Sequence, residues 1–435
     1  MVVMRCLDRQ VSLHIYARNV SGKQGGNYMK QEEKKVNNCR VCGGGLTDIL
    51  SLGNQYVSDF VVDQKDTIQV PLDLARCEYP ECGTIQLRHN APPASMWNDH
   101  YGYKSGINRL IRENLQSIVI GAEEAVGNNL KSDSYVIDIG ANDGTLLDNY
   151  FAPPKSNRVG FEPSANVAAE ARAKGHIIIP DFFNAEAYQK ITDKKADVIT
   201  AISMFYDLDK PNEFLQDIKS TLSDDGVFII QQNYLKSMLE QNAFDNICHE
   251  HRCYYSLKSL DFLLRKNDLE IFDVDFHDTN GGSIRTYIKH KNSERKISEN
   301  VSTAMQADID AGLDTAKPYE EFAERILRLR EDSINFLKEQ KELGNMVIGC
   351  GASTRGNTTL QYFGITEDLL PAIGDSNREK WGKRTPGSNI PIVSPHVIAE
   401  LKPDYQYVLI WHLFEGLKET GKFAVPMPEF RVVEK

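Results

Sequence analysis

The chain has 435 residues, which is more than one hydrophobic core ordinarily serves, so we expect two larger domains and one small module. It contains 41% hydrophobic and 26% charged residues, and no apolar run approaches the roughly 20 residues that a membrane helix needs. A formal net charge of −11 would repel a phosphate backbone, which argues against a nucleic-acid partner. We therefore predict a cytoplasmic protein, without membrane or nucleic-acid partners, that is a monomer or a weak homo-oligomer.

The first part of the chain, residues 1–38, is predicted to be a flexible leader. Residues 21–38 are polar and rich in Lys and Gly, a composition with too little apolar surface to fold. The first 28 residues lack the continuous apolar core and the small-residue cleavage site of a secretory signal. The first ordered unit is expected to begin at the cysteines.

Four of the eight cysteines form two close pairs. Such a pair lets one hairpin hold one side of a tetrahedral zinc ion, and four sulfurs close the coordination sphere, as in structural sites. Residues 39–95 contain only short apolar stretches between turns, too few for a core of their own, so we predict a zinc-binding module there. Because the second pair encloses a longer loop than usual, four unmetallated thiols remain the alternative. The predicted ligands are Cys39, Cys42, Cys77 and Cys82.

The middle of the chain alternates strand-like and helix-like segments. Apolar residues recur at helical spacing over residues 108–126, and helical stretches then separate four apolar runs. Such alternation predicts an α/β fold with a parallel sheet covered on both faces, as in Rossmann-like domains. The predicted strands are residues 135–139, 158–161, 196–202 and 226–230.

A second α/β unit follows a long amphipathic helix. Residues 319–344 carry apolar positions near helical period, and residues 346–349 then begin a new sequence of strand, glycine loop and helix. We place the cofactor domain at residues 96–300. Residues 301–435 form the helical bridge and a second Rossmann-like domain, predicted to bind the substrate.

The segment 135–147 predicts the cofactor site. An apolar strand runs into two glycines four residues apart and then into a helix, and glycine lets the backbone approach a ligand at the carboxyl end of a sheet. A dinucleotide site would have a third glycine and no acid beside the pyrophosphate, whereas two aspartates flank this turn. Carboxylates suit the ammonium and sulfonium groups of S-adenosylmethionine. The predicted contacts in this loop are Asp138, Gly140, Asn142, Asp143 and Gly144.

Further cofactor contacts are expected from the neighbouring strands. Glu162 ends the second strand about 20 residues later, where an acid can accept both ribose hydroxyls. Phe182 follows the next strand and could hold the adenine, and we assign Ser203 to the same site. Tyr103 precedes the first helix of the domain.

Five motifs in a fixed order carry a resemblance to a known family. They are the cysteine pairs, the glycine loop at 135–147, and the segments 244–251, 281–285 and 349–356. In that order they resemble the sugar C-methyltransferases that act on nucleotide-linked ketohexoses. The resemblance covers nearly the whole chain from Cys39 and implies a class I S-adenosylmethionine-dependent methyltransferase domain between a zinc-binding module and a Rossmann-like domain.

The chemistry implied by the resemblance is methylation of carbon. A base removes the proton beside the ketone of a nucleotide-diphosphate keto-deoxyhexose, with dTDP as the nucleotide, and the enolate accepts the methyl group. His251 matches the base, since the imidazole titrates near neutral pH, and Glu250 matches a neighbouring carboxylate. His249 is the alternative base, and Asp207 is assigned to the catalytic group. Without the resemblance, a solvated loop or a His-x-His metal pair would explain these residues.

The substrate contacts are predicted on three loops. Arg285 and Asn280 belong to a glycine turn, where a guanidinium can hold a phosphate through two hydrogen bonds. The later glycine loop opens a helix, which suits a diphosphate, and residues 375–387 resemble the segment near the nucleotide end. A surface ion pair for Arg285 and a charged surface loop for 375–387 remain open. The residues assigned in the second domain are Arg355, Asn357, Lys383 and Thr385.

Four positions depart from the family pattern. Cys248 stands where tyrosine is usual, Asp207 and Asn280 where histidine is common, and Gln231 where glutamate is common. These departures keep two alternatives open, methylation of oxygen or nitrogen on a related small molecule and a cofactor-binding module without turnover.

Overall fold

A computed structural model gives the structure of the chain over residues 34–58, 60–62, 68–96, 103–417 and 420–435. The predicted leader therefore lies almost wholly outside the described residues. Among the helices in the described ranges, none has the length and hydropathy to cross a membrane.

The N-terminal module is built from short antiparallel strands. Its strands are β1 (Lys34–Lys35), β2 (Leu46–Tyr56), β3 (Gln69–Cys77), β4 (Ile85–Leu87) and β5 (His89–Asn90). Leu46 pairs with Cys77, so the β2–β3 hairpin starts and ends beside the cysteines. Strands β1 and β5 form a separate two-stranded sheet. The module has a small apolar cluster of its own, formed by Val57, Val70, Ala91 and Met96. Its other buried apolar side chains belong to the clusters of the two larger domains.

The central domain contains a seven-stranded sheet in the order β12-β13-β10-β9-β6-β7-β8. Strands β6 to β10 run parallel to one another, and β13 runs antiparallel between β10 and β12. Its sheet strands are β6 (Val136–Ile139), β7 (Arg158–Phe161), β8 (Ile177–Ile179), β9 (Ala196–Ile202), β10 (Leu222–Asn233), β12 (Leu269–His277) and β13 (Ser283–His290).

One strand of this domain leaves the central sheet. Strand β11 (Cys253–Tyr254) pairs with β4 and becomes the fourth strand of the N-terminal sheet, in the order β11-β4-β3-β2. The chain immediately before β11 carries the two histidines of the 244–251 motif. The N-terminal module therefore holds one end of that motif by main-chain hydrogen bonds.

Helices cover both faces of the central sheet. Asn108 caps the first helix by accepting a hydrogen bond from the amide of Leu110, and Ser256 forms a capping box with Ser259 at another, as expected for these residue types. The helices are α1 (Arg109–Ala125), α2 (Thr145–Asp148), α3 (Ala165–Ala173), α4 (Ala185–Gln189), α5 (Pro211–Thr221), α6 (Leu235–Glu240) and α7 (Leu257–Lys266).

The C-terminal domain has a six-stranded sheet in the order β16-β15-β14-β17-β18-β19, parallel except for its last strand. Helices α8 (Glu299–Asp310) and α9 (Lys317–Glu342) form the bridge into it. The fold prediction is confirmed: two parallel α/β sheets follow a small N-terminal module. The remaining elements are β14 (Val347–Cys350), α10 (Thr354–Phe363), β15 (Ile373–Gly374), β16 (Ile392–Val393), α11 (Pro395–Leu401), β17 (Tyr405–Val408), β18 (Lys422–Val425) and β19 (Arg431–Glu434).

Candidate active site

A cleft of about 1260 Å³ lies between the central and the C-terminal domains. One wall comes from the loops that follow β6, β7 and β9, and the other from the loops that follow β14 and β15. Ligands of open α/β sheets bind at the carboxyl ends of the strands. Both sheets therefore turn their binding edges toward one shared cavity.

The four predicted metal ligands meet in one cluster of sulfurs. Cys39 Sγ lies 3.7 Å from Cys82 Sγ, and Cys42 Sγ lies 3.3 Å from Cys77 Sγ, and all four sulfurs lie within 4.8 Å of one another. A tetrahedral zinc ion with sulfur ligands at 2.3 Å separates them by about 3.8 Å. The geometry fits a closed structural zinc site, and none of the four cysteines lines the cleft.

The glycine loop after β6 lies at the floor of the cleft. Gly140 has φ +74°, a conformation that favours glycine, and a side chain there would contact Met204. Asp138 lines the cleft and is buried, and the Thr200 hydroxyl donates to its Oδ1 at 2.6 Å. Burial raises the pKa of Asp138 to about 7, against the lowering effect of Thr200. A bound cation beside Asp138 would favour its ionised form.

Glu162 closes the cofactor side of the cleft. Its two oxygens accept hydrogen bonds from the amides of Asn142 at 3.0 Å and Ser164 at 2.8 Å. Burial raises the pKa of Glu162, against the lowering effect of these amides. The remaining lone pairs are those that ribose hydroxyls would use. Tyr103, Asn142, Phe182 and Ser203 also line the cleft.

Asp143 and Gly144 shape the loop and are absent from the lining of the cleft. The carboxylate of Asp143 accepts from the Gly106 amide at 2.9 Å and from the Thr145 hydroxyl at 2.6 Å. A side chain on Gly144 would come within 3.0 Å of Ala171 on α3. The Asp143 carboxylate is occupied by hydrogen bonds within the protein, and Gly144 packs against α3. Their positions therefore do not support the predicted contacts with the cofactor.

The two histidines of the 244–251 motif face different surroundings. His249 is buried, and its Nε2–H donates to the carbonyl of Val70 in β3 at 2.9 Å. It is not part of the lining of the cleft, whereas His251 is. Burial lowers the pKa of His249 to about 4. His249 therefore fastens the motif to the N-terminal sheet, a position that does not support the alternative of His249 as the base.

His251 is oriented by a main-chain carbonyl. Its Nδ1–H donates to the oxygen of Asn246 at 2.8 Å, which fixes the tautomer with the free lone pair on Nε2. Across the described part of the chain, no hydrogen bond to Nε2 is found. Burial, and then the positive charge of Arg355, lowers the pKa of His251 to about 3. The ring is thus a neutral acceptor at physiological pH.

Two acidic groups lie beside His251, and a third, Asp207, lines the same cleft. Cys248 Sγ, a carboxylate oxygen of Glu250 and a ring nitrogen of His251 lie within 4.8 Å of one another. Burial, and then Glu250, raises the pKa of Asp207 and of Cys248 well above the usual range. Asp207 lines the cleft, with a buried Oδ1 that has no hydrogen-bond partner among the described residues. These shifts favour the neutral forms of the imidazole, the carboxyl group and the thiol.

The predicted substrate residue Arg285 points away from the cleft. Its guanidinium is buried and donates to Gln231 Oε1 at 2.8 Å and to the Ser117 hydroxyl at 2.8 Å. These contacts tie β13 to β10 and α1. The predicted substrate contact is not supported, because the donors of Arg285 are used inside the central domain.

Arg355 lines the cleft, yet its charge is already paired. Its Nη2 and Nε donate to the two oxygens of Asp245 at 2.8 Å and 3.0 Å. Its Nη1 donates to the carbonyl of Asn280 at 2.7 Å, and Asn280 also lines the cleft. Arg355 therefore joins the C-terminal domain to two loops of the central domain.

Three other predicted substrate residues lie outside the cleft. Asn357 is buried and donates to the Ser58 hydroxyl at 2.9 Å, and Thr385 accepts from the Ile390 amide at 2.9 Å. Lys383 is half-buried in the same turn, where its amide donates to the carbonyl of Lys380. Asn357 joins α10 to the N-terminal module and Thr385 stabilises a turn, so the three positions do not support the predicted contacts.

His412 is a cleft residue that the sequence reasoning missed. It follows β17 within the 3-10 turn Trp411–Gly416 and lines the cleft from the C-terminal side. Its Nδ1 is buried without a hydrogen-bond partner in the described ranges. Burial, and then Arg355, lowers its pKa well below the usual value. The available signal was its place just after a parallel strand.

Comparisons with solved structures find methyltransferases. An S-adenosylmethionine-dependent methyltransferase from Clostridium acetobutylicum ATCC 824 matches at 16% identity and TM-score 0.33, over 41% of this chain and 92% of that chain. The magnesium protoporphyrin IX methyltransferase ChlM from Synechocystis PCC 6803 matches at 14% identity and TM-score 0.32, over 42% and 87% respectively.

Three family models match the chain in sequence order. Residues 39–97 match a zinc binding domain, residues 104–274 a methyltransferase domain, and residues 278–428 the C-methyltransferase C-terminal domain. C-methyltransferase NovU of Streptomyces niveus is 30% identical over 420 residues, which cover 93% of this chain and 99% of that relative. The resemblance drawn from the sequence is thereby confirmed. The chain belongs to the C-methyltransferase family and is an S-adenosylmethionine-dependent methyltransferase with an N-terminal zinc-binding domain.

Proposed function

We propose that this enzyme methylates a carbon beside the ketone of a nucleotide-diphosphate keto-deoxyhexose, with dTDP as the nucleotide, and that the reaction passes through an enolate. The observation that carries the proposal is the orientation of His251. Its Nδ1–H is held by a carbonyl, and its ring lines the cleft shared by the two domains. Methylation of carbon requires a base at this place, whereas methylation of a basic nitrogen does not.

The residues around His251 suit proton removal from carbon. His251 Nε2 takes the proton, and the electron pair of the C–H bond becomes that of the enolate. Burial and Arg355 disfavour the imidazolium that forms, and the Glu250 carboxylate, within 4.8 Å of the ring, is placed to offset them by its negative charge. Burial, and then Glu250, raises the pKa of Asp207 well above the usual range, which favours its neutral form. A neutral acid of this kind donates a hydrogen bond to the oxygen on which charge develops.

The cofactor would be held by the loop after β6 and by Glu162. When bound, S-adenosylmethionine supplies an electrophilic methyl group. Asp138 and the amides of the glycine loop line the part of the cleft nearest the central sheet. Glu162 is pre-oriented by two amides to accept hydroxyl donors. These residues bind and orient the methyl donor, and they leave the opposite wall for the sugar.

The nucleotide end would lie against the C-terminal domain. The loop between β14 and α10 lines the cleft, and helix starts favour phosphate. Lys380 also lines the cleft, where its ammonium donates to the carbonyl of Ala352 at 2.7 Å. A diphosphate in this place would lie beside the Lys380 ammonium, which also pairs with the Asp375 carboxylate at 3.5 Å.

Solvent exchange at the reacting carbon tests the proposal. A dTDP-linked keto-deoxyhexose is incubated with enzyme and S-adenosylhomocysteine in D2O, and deuterium incorporation is measured by mass spectrometry. His251→Gln should slow the exchange by at least about 100-fold, the contribution of a general base. Calorimetry should show unchanged binding of S-adenosylmethionine.

The outcomes separate the parts of the proposal. Exchange at the wild-type rate in His251→Gln would exclude His251 as the base. Absence of exchange with every nucleotide ketosugar would exclude the substrate class. Methyl transfer that survives His251→Gln without exchange would favour an oxygen or nitrogen acceptor, the alternative that Cys248 and Asp207 suggest.

A further inference from the structure

A buried ion pair joins the C-terminal domain to the loop that carries His251. Asp245 is fully buried, and both of its oxygens accept hydrogen bonds from the guanidinium of Arg355. The indole N–H of Trp411 donates to Asp245 Oδ2 at 2.9 Å. The Arg355 guanidinium also lies 5.6 Å from the centre of the Trp411 ring. We call Asp245, Arg355 and Trp411 the interdomain clamp.

The clamp adjoins the group that orients His251. Asp245 is followed directly by Asn246, whose carbonyl accepts the Nδ1–H of His251 at 2.8 Å and the hydroxyl of Tyr254 at 3.3 Å. The Asn246 side chain accepts from Asn233 at 2.5 Å. A carbonyl can fix a tautomer only if it is itself held in place. The clamp fixes the residue immediately before this carbonyl.

The clamp also holds the glycine turn on the other side of Arg355. The third hydrogen bond of the guanidinium goes to the carbonyl of Asn280. Gly281 has φ +83°, and a side chain there would come within 2.6 Å of the Trp411 ring. The turn therefore has a close fit to Trp411. The C-terminal domain thus contacts the central domain on both sides of the reacting end of the cleft.

We infer that Asp245, Arg355 and Trp411 are positioning residues for the base. The C-terminal domain completes the catalytic site by holding the Asn246 carbonyl, which keeps the proton of His251 on Nδ1 and its lone pair on Nε2. The inference rests on the proposed function only through the role given to His251. It also gives Arg355 a role other than diphosphate binding, because its three hydrogen bonds are made to protein groups.

The tautomer of His251 is the direct readout of the clamp. In protein labelled with ¹⁵N at histidine, the shifts of the two ring nitrogens report which one carries the proton, and His251→Gln identifies the signal by its loss. Trp411→Phe removes one donor to Asp245 and keeps the ion pair. We expect a mixed tautomer in this variant and a kcat lowered roughly 10- to 100-fold by the displaced base. S-adenosylmethionine affinity should be unchanged.

Asp245→Asn is the second variant and should shift the tautomer further, because it also breaks the ion pair with Arg355. Trp381→Phe is the matched control, since the Trp381 indole donates to the Asp375 carbonyl at 2.7 Å in the same domain. It should leave the His251 signal as in the wild type. Thermal melts check folding, and if Asp245→Asn does not fold, Trp411→Phe decides.

A wild-type His251 spectrum in Trp411→Phe, with unchanged kcat, would overturn the inference. Since the spectrum is recorded without substrate, its result is independent of the acceptor. A failure of every nucleotide ketosugar to react would count against the proposed function. An unchanged tautomer would count against the clamp alone.

Discussion

The segment 244–254 contacts the N-terminal module on one side and the cleft on the other. On the module side, His249 donates to Val70, and β11 pairs with β4. On the cleft side, the Nε2 of His251 has no hydrogen bond to any residue that the structure describes. Burial lowers the pKa of both histidines, to about 4 and about 3, so depressed basicity does not distinguish them. The two histidines therefore differ in whether the ring lines the cleft and not in burial, and this position identifies His251 as the candidate base.

Of the predicted changes, removal of zinc should have the largest effect. The contacts of segment 244–254 with the N-terminal module depend on the four-cysteine cluster. The apolar cluster that belongs to the module alone is small, and structural zinc contributes directly to folding. We expect chelation to lower the free energy of unfolding by more than about 3 kcal/mol. Activity should be lost with it, although zinc lies outside the cleft.

Metal analysis should find zinc in the purified protein, and thermal melts with and without chelator give the loss of stability. Restored melting and activity after zinc is added back provide the control. A chelated, metal-free protein that melts and turns over like the wild type would show that the cysteines act as plain thiols and that the module does not support the motif.

His249→Ala should cost stability more than catalysis. The substitution removes a buried hydrogen bond to Val70 and leaves a cavity, so we expect the free energy of unfolding to fall by about 2 to 3 kcal/mol. The folded fraction should retain solvent exchange at the carbon within about tenfold of the wild type, against at least about 100-fold loss in His251→Gln. Urea unfolding and the exchange assay measure the two quantities. An equal loss of exchange in both variants would contradict the different roles given to His249 and His251.

The smallest predicted effect is on the pH dependence of stability. An unfolded histidine titrates near 6.5, whereas burial lowers the pKa of His249 to about 4 in the folded chain. The unfolded state therefore binds more protons below pH 6.5, and stability is lost as the pH falls from there toward 4. Between pH 7 and 5, the wild type should lose about 2 kcal/mol more than His249→Gln.

Urea unfolding at these two pH values measures the difference. Parallel pH curves for the wild type and His249→Gln would mean that His249 titrates alike in both states. That result would contradict the view that the buried contact with Val70 determines the position of His249.

The sequence by itself determined the features that depend on residues close in the chain. Glycine spacing after a strand fixes a turn whatever surrounds it, and the cysteine pairs carry their own ligand geometry. Alternating apolar segments were enough to predict both sheets. The place of Glu162 at the end of the second strand was predicted in the same way, and its role in binding the cofactor stays a prediction.

Only the tertiary structure decided which polar side chains face the cleft. His249 is held against the N-terminal sheet by its hydrogen bond to Val70, 179 residues away along the chain. Arg355 is held by Asp245, 110 residues away. Arg285 is likewise turned inward by Gln231 and Ser117. A side chain in a loop takes the direction of the partner that satisfies its hydrogen bonds, and such partners meet only when the domains pack together.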